Sequence, residues 1–189
     1  MTELQQYISS YFGTTKENVT KVASFFTTTE LKKGDYFVKS GQYCEKLSFI
    51  NDGFVRVYSD YNYKEVTQWI GNKGQFITDL SSFVFKQRAR WNILALTDCQ
   101  LYTIEKENYN LLNKVVPDWE KLEKQFIASC FLALEDRIFS HLSLSAEERY
   151  DQLFKNNPTL FNQVPLHYLA SMLGMSAETF SRIRNKKIS

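Results

Sequence analysis

Near the end of the chain, Ala177, Glu178, Ser181, Arg182 and Asn185 recur at the spacing of one helical face. Such a row of small, carboxylate, hydroxyl, guanidinium and amide side chains suits hydrogen bonding to base edges. Thr179, Arg184, Lys186 and Lys187 lie beside that row and suit phosphate oxygens. Immediately upstream, Ser176 is a natural N-cap, and Glu178 falls in the first turn of the helix it would start. Leu166, Leu169, Ala170 and Leu173 give the buried face of a preceding helix, and Phe180 and Ile183 give the inner face of the second. Gly174 between them supplies the positive φ of a tight turn. A small residue, a turn glycine and an apolar residue packing back are what a helix-turn-helix needs where its helices cross. These residues imply DNA binding. The alternative is a helical hairpin with a solvated basic tail.

Charge placement agrees. The formal net charge is +2, yet residues 177–189 hold four basic residues against Glu178, leaving the remainder of the chain at −1. Hydrophobic residues at 43% permit a sizeable core, and 15 Phe with 11 Tyr favour β structure. Three dispersed cysteines, Cys44, Cys99 and Cys130, read as reduced thiols of a cytoplasmic protein rather than a disulfide set. The opening "MTELQQYISSYFG" has neither a basic n-region nor a long apolar run, so no signal peptide or membrane span is expected.

The elements that must position the C-terminal motif read as follows. Thr14 and Glu17 have capping-box spacing, and Val19, Val22, Ala23 and Phe26 share a helical face. From about residue 30 come short β-branched and aromatic runs, "DLSSFVF" among them, punctuated by turn signals as in a sandwich or barrel. Asn51-Asp52-Gly53 is the strongest hairpin signal. Pro117 opens a long glycine-free helix with Asp118 and Glu120 at its positive end. That helix has two apolar stripes. One is Trp119, Leu122, Phe126, Cys130 and Ala133; the other is Ile127, Phe131, Leu134, Ile138 and Leu142. One stripe would pack on the helix's own domain and the other on a second copy, with the first assigned to the dimer seam; the alternative is a helix buried within a monomer. Ser145 and Glu148 cap a further helix, "NNP" ends it, and Pro165 starts the next.

"VPLHYLASMLGMSAETFSRIR", together with "LKKGDYFVKSGQYCEKLSFINDGFVRVY", resembles the Crp/Fnr transcription regulators over nearly the whole chain. The resemblance implies an α+β chain: a cyclic-nucleotide-binding-like β-roll, jelly-roll-like, over 1–116, a dimerisation helix over 117–142, and a helix-turn-helix domain over 143–189. It implies a homodimer on a near-palindromic duplex, with RNA polymerase as a further candidate partner, and it marks Glu178 and Arg182 as base readers. Ala177 stands where the best-known members have arginine, and the short tail resembles a branch with little room for a β wing.

Members that bind cyclic AMP carry Gly-Glu, then Arg-Ser about ten residues on. Here Thr78-Asp79 replaces the first pair and Ala89-Arg90 falls on the second, so cyclic AMP is not expected. Asp79, Ser81, Ser82, Arg88 and Arg90 remain candidates for another anionic effector, the alternative being a solvated "KQRAR" loop and a roll without a small ligand. A metalloenzyme barrel is disfavoured because His141 and His167, the two histidines, both lie beyond the β region. No nucleophile–base set is evident, so no enzyme and no metal are expected. The rival reading is a regulatory or interaction module without a DNA role.

Overall fold

The computed structural model describes residues 1–188. Two helices open the chain. Thr2 caps α1 (Glu3–Phe12) reciprocally: Gln5 N–H donates to its hydroxyl at 3.3 Å, and its own N–H donates to the Gln5 amide oxygen at 3.0 Å. Nothing in the hydrophobic pattern had singled α1 out, although Leu4, Ile8 and Phe12 recur every four residues and are all buried. The cap of α2 (Lys16–Ala23) is Thr15, whose hydroxyl accepts the Asn18 N–H at 3.3 Å, and not the expected Thr14. Thr14 instead accepts from the Asn18 side-chain amide, and Glu17 pairs with Lys21 along the helix.

Among the described residues, eight strands form two antiparallel four-stranded sheets. One runs β1 (Thr27–Leu31), β8 (Cys99–Glu105), β3 (Lys46–Asp52) and β6 (Phe76–Ile77). The other runs β2 (Tyr36–Val38), β7 (Asn92–Ala95), β4 (Val55–Tyr61) and β5 (Lys64–Gly71). This is the expected β-roll, with two corrections. Asn51-Asp52-Gly53 does not close a hairpin, because β3 and β4 lie in different sheets and the turn carries the chain between them. Gly53 is required at that corner: at φ 95° a Cβ would come within 2.5 Å of the Asp98 carbonyl oxygen. The tight hairpin joins β4 to β5 instead, through left-handed Asn62 and Tyr63 (φ 49° and 62°). The second correction concerns "DLSSFVF", which is helix α3 (Leu80–Phe85) and not a strand. The Asp79 carboxylate accepts the Ser82 N–H at 3.0 Å, so N-capping overrides β propensity.

Helix α4 (Lys106–Val115) follows β8, and α5 (Trp119–Ser143) runs 25 residues. Its Trp119, Leu122 and Phe126 are buried in the same cluster as Ile8, Phe12, Phe49 and Leu112. Phe126 stacks on Phe12 at 5.0 Å and meets Phe76 edge-on at 4.9 Å. The stripe assigned from sequence to the dimer seam is therefore taken up inside the chain; Cys130 packs against the same cluster, and Ala133, one turn on, is exposed. The physical reason is α1, which covers that face. The second stripe is the open one, with Phe131 60% and Leu142 82% exposed.

Four helices complete the described residues: α6 (Ala146–Asn156), α7 (Leu160–Gln163), α8 (Leu166–Met172) and α9 (Ala177–Ile188). The Ser145–Glu148 box caps α6 as expected, and Pro165 stands at the N-cap of α8. Tyr150, Leu160, Phe161, Leu169, Phe180 and Ile183 form their core, and Phe54 and Ile70 of the roll belong to that same cluster.

Candidate nucleic-acid interface

Helices α8 and α9 meet across a tight bend. Gly174 adopts φ 67°, and the Met175 N–H donates to the Ala170 carbonyl at 3.0 Å, closing the turn. Ala170 is buried at the crossing. Phe180 packs back, edge-on to Tyr150 at 5.1 Å and stacked on Phe161 at 5.8 Å. The Ser176 hydroxyl accepts the Thr179 N–H at 3.2 Å and starts α9.

With Phe180 and Ile183 inward, the outward face carries Ala177, Glu178, Ser181, Arg182 and Asn185, all exposed. Its own backbone N–H and the Ser176 hydroxyl hold the Glu178 carboxyl below the usual carboxylate range. Thr179 and Arg184 are half-buried at the flank. The lysines expected at phosphates lean on α6. Lys186 lies 3.0 Å from Glu147, and Lys187 lies 2.9 Å from Asp151 and 3.0 Å from Glu147. These contacts, Lys186 foremost, lower the Glu147 carboxyl, while Asp151 and then Glu147 raise the Lys187 ammonium. Surface pairs of this kind are weak and readily exchanged.

The residues proposed for an effector are brought together, but not as an open site. Asp79 is buried, and its carboxylate accepts four hydrogen bonds: from the Ser82 N–H and the Ser81 hydroxyl at 3.0 Å, and from the Arg90 and Trp91 N–H groups at 2.8 and 3.2 Å. The Ser82 hydroxyl accepts the Cys44 N–H at 2.8 Å. Arg88 is exposed, donating to the Gly41 carbonyl, and Arg90 is exposed beside the Trp91 ring. The Asp79 carboxylate thus engages the backbone donors of Ser82, Arg90 and Trp91. No group of three metal-ligating side chains occurs among the described residues. Burial pushes the Cys130 thiol up to about 11, which favours the protonated form.

Sequence reasoning passed over the joint between the roll and the C-terminal helices. Arg56 on β4 is 1% exposed, with its guanidinium 4.2 Å from the Tyr58 ring and 3.7 Å from the Tyr168 ring of α8. A charged residue amid the apolar run Val55-Arg56-Val57-Tyr58 was the available signal.

Residues 28–112 match the family described as Cyclic nucleotide-binding domain. No curated protein matches the sequence. Solved structures share the fold across most of the chain. The catabolite activator protein of Thermus thermophilus is 20% identical, with 95% of this chain and 85% of that one covered and a TM-score of 0.60. FixK2 of Bradyrhizobium japonicum is 14% identical, with 85% and 83% covered and a TM-score of 0.69. The c-di-GMP-responsive global regulator CLP of Xanthomonas campestris is 14% identical, with 91% of each chain covered and a TM-score of 0.66. Residues 28–112 are therefore similar to a cyclic nucleotide-binding domain, and most of the chain shares the fold of these solved regulators.

Proposed function

We propose that the protein is a homodimeric, cytoplasmic transcription regulator that binds a specific duplex sequence through α9. One observation carries the reading. Across a tight bend from α8, α9 buries Phe180 and Ile183 and leaves Glu178, Ser181 and Arg182 exposed. A helix presented this way fits a major groove, where Arg182 would donate to guanine and Glu178 would accept from the cytosine amino group. The roll, the long helix and the reading head take residues 1–116, 117–142 and 143–189.

The open stripe of α5 supports pairing with a second copy. Ile127, Phe131, Leu134, Ile138 and Leu142 are all exposed and recur at three- and four-residue steps, the pattern of a coiled-coil seam. Two heads across such a seam would meet half-sites about 34 Å apart. The self-satisfied Asp79 supports a roll whose α3 cradle takes no cyclic nucleotide, because an incoming phosphate would face a buried carboxylate.

Duplex binding across a salt series tests the reading. A regulator releases counterions on binding, so log affinity falls linearly with log salt, and a selected operator outcompetes random duplex by about a thousandfold or more. Absence of salt-dependent duplex binding would leave the interaction-module reading in its place.

A further inference from the structure

The reading head does not hang from a hinge. Its hydrophobic cluster is completed by Phe54 and Ile70 of the roll, so the head's core extends onto the roll. The Thr67 N–H on edge strand β5 donates to the Ser171 hydroxyl of α8 at 2.9 Å, which covers that edge. The buried Arg56 guanidinium is held by the Thr67 hydroxyl at 2.9 Å and by Glu65, and sits between the Tyr58 and Tyr168 rings. A cation held between a roll ring and a head ring resists both sliding and rotation. On the other side, Arg137 of α5 donates to the Met172 carbonyl at 3.1 Å, and Arg149 of α6 donates to the Leu173 carbonyl at 3.0 Å and to Leu144 at the end of α5. The two outermost carbonyls of α8 are thereby tied to the long helix and its successor.

We infer that this clamp fixes the direction of α9 relative to the dimer helix, and that Arg56, Tyr168 and Ser171 are positioning residues that set which half-site spacing the protein accepts. The inference rests on the regulator reading above. A dimer reads two half-sites as one ligand only when both heads reach them without distortion. Welded heads tolerate one separation; loosened heads tolerate several, each at the cost of ordering. None of the three residues lies on the outward face of α9, so loosening the clamp leaves contact with a single half-site intact.

The test uses the full-length protein and a duplex selected by it from a random library, then the same duplex with one base pair added or removed between half-sites, and a duplex carrying one half-site. Wild type should lose about tenfold or more on either spacing change. The Tyr168→Ala, Ser171→Ala double variant and, separately, Arg56→Met should bind all three spacings within about threefold while holding the single half-site as tightly as wild type. Variants that discriminate spacing as sharply as wild type would overturn the clamp. So would a wild type indifferent to spacing, or a loss confined to half-site binding. If wild type selects no duplex at all, the regulator reading itself falls, whatever the variants do.

Discussion

Arg182 and Glu178 stand one turn apart on the open side of α9, both exposed, as the proposed base-reading role requires. Replacing Arg182 with alanine should remove about 1–3 kcal/mol of discrimination at one base pair and leave other positions unchanged. Competition binding against single-base operator variants measures it; uniform weakening on every sequence would assign Arg182 to the phosphates instead. To reach phosphates, Lys186 and Lys187 would first leave Glu147 and Asp151, pairings that sequence could not show because those partners lie 39 and 36 residues away. The outward face of α9 was legible because helical spacing sorts one face from the other. The internal contacts of Asp79 and Arg56 were not legible: nothing in the pattern showed that Asp79 accepts from the Ser82, Arg90 and Trp91 amides, or that Arg56 is buried between two rings.

At the scale of the element, α5 shows how far periodicity reaches. Its two stripes were evident, yet which of them faced inward depended on α1, an element whose own three anchors, Leu4, Ile8 and Phe12, gave only a faint pattern. Turn chemistry decided the rest. "NDG" has the composition of a hairpin, but the chain bends between sheets there, and an aspartate cap turned "DLSSFVF" into a helix. The two faces of α5 should separate cleanly by mutation. Phe131→Glu with Ile138→Glu should give a folded monomer by sedimentation, because both side chains are exposed within a single chain. Phe126→Ala, at 1% exposure, should instead lower unfolding stability by about 3–5 kcal/mol in a denaturant melt while the protein still sediments as a dimer. If the Phe131 and Ile138 variant still sediments as a dimer, the seam lies elsewhere.

At the scale of the whole molecule, the order of parts was readable end to end: sheet-rich middle, long helix, helix-turn-helix. The sequence patterns for each are local and strong. What was not readable is the docking of the last part on the first, since it rests on contacts between residues about a hundred positions apart, such as Thr67 with Ser171 and Arg56 with Tyr168. Such pairings leave no periodic trace in either partner. In the proposed dimer they would decide whether two heads act as a ruler or as two loose probes.

The first dozen residues serve as a cladding for the long beam α5, which would join two copies in the proposed dimer. Strip the chain back to Gly13 and the rings of Trp119 and Phe126 lose the cover of Phe12, so one beam turns greasy on opposite sides. A beam of that kind would find indiscriminate company where the intact one finds a single mate, and light scattering on a truncated sample should rise with concentration while the parent stays clear.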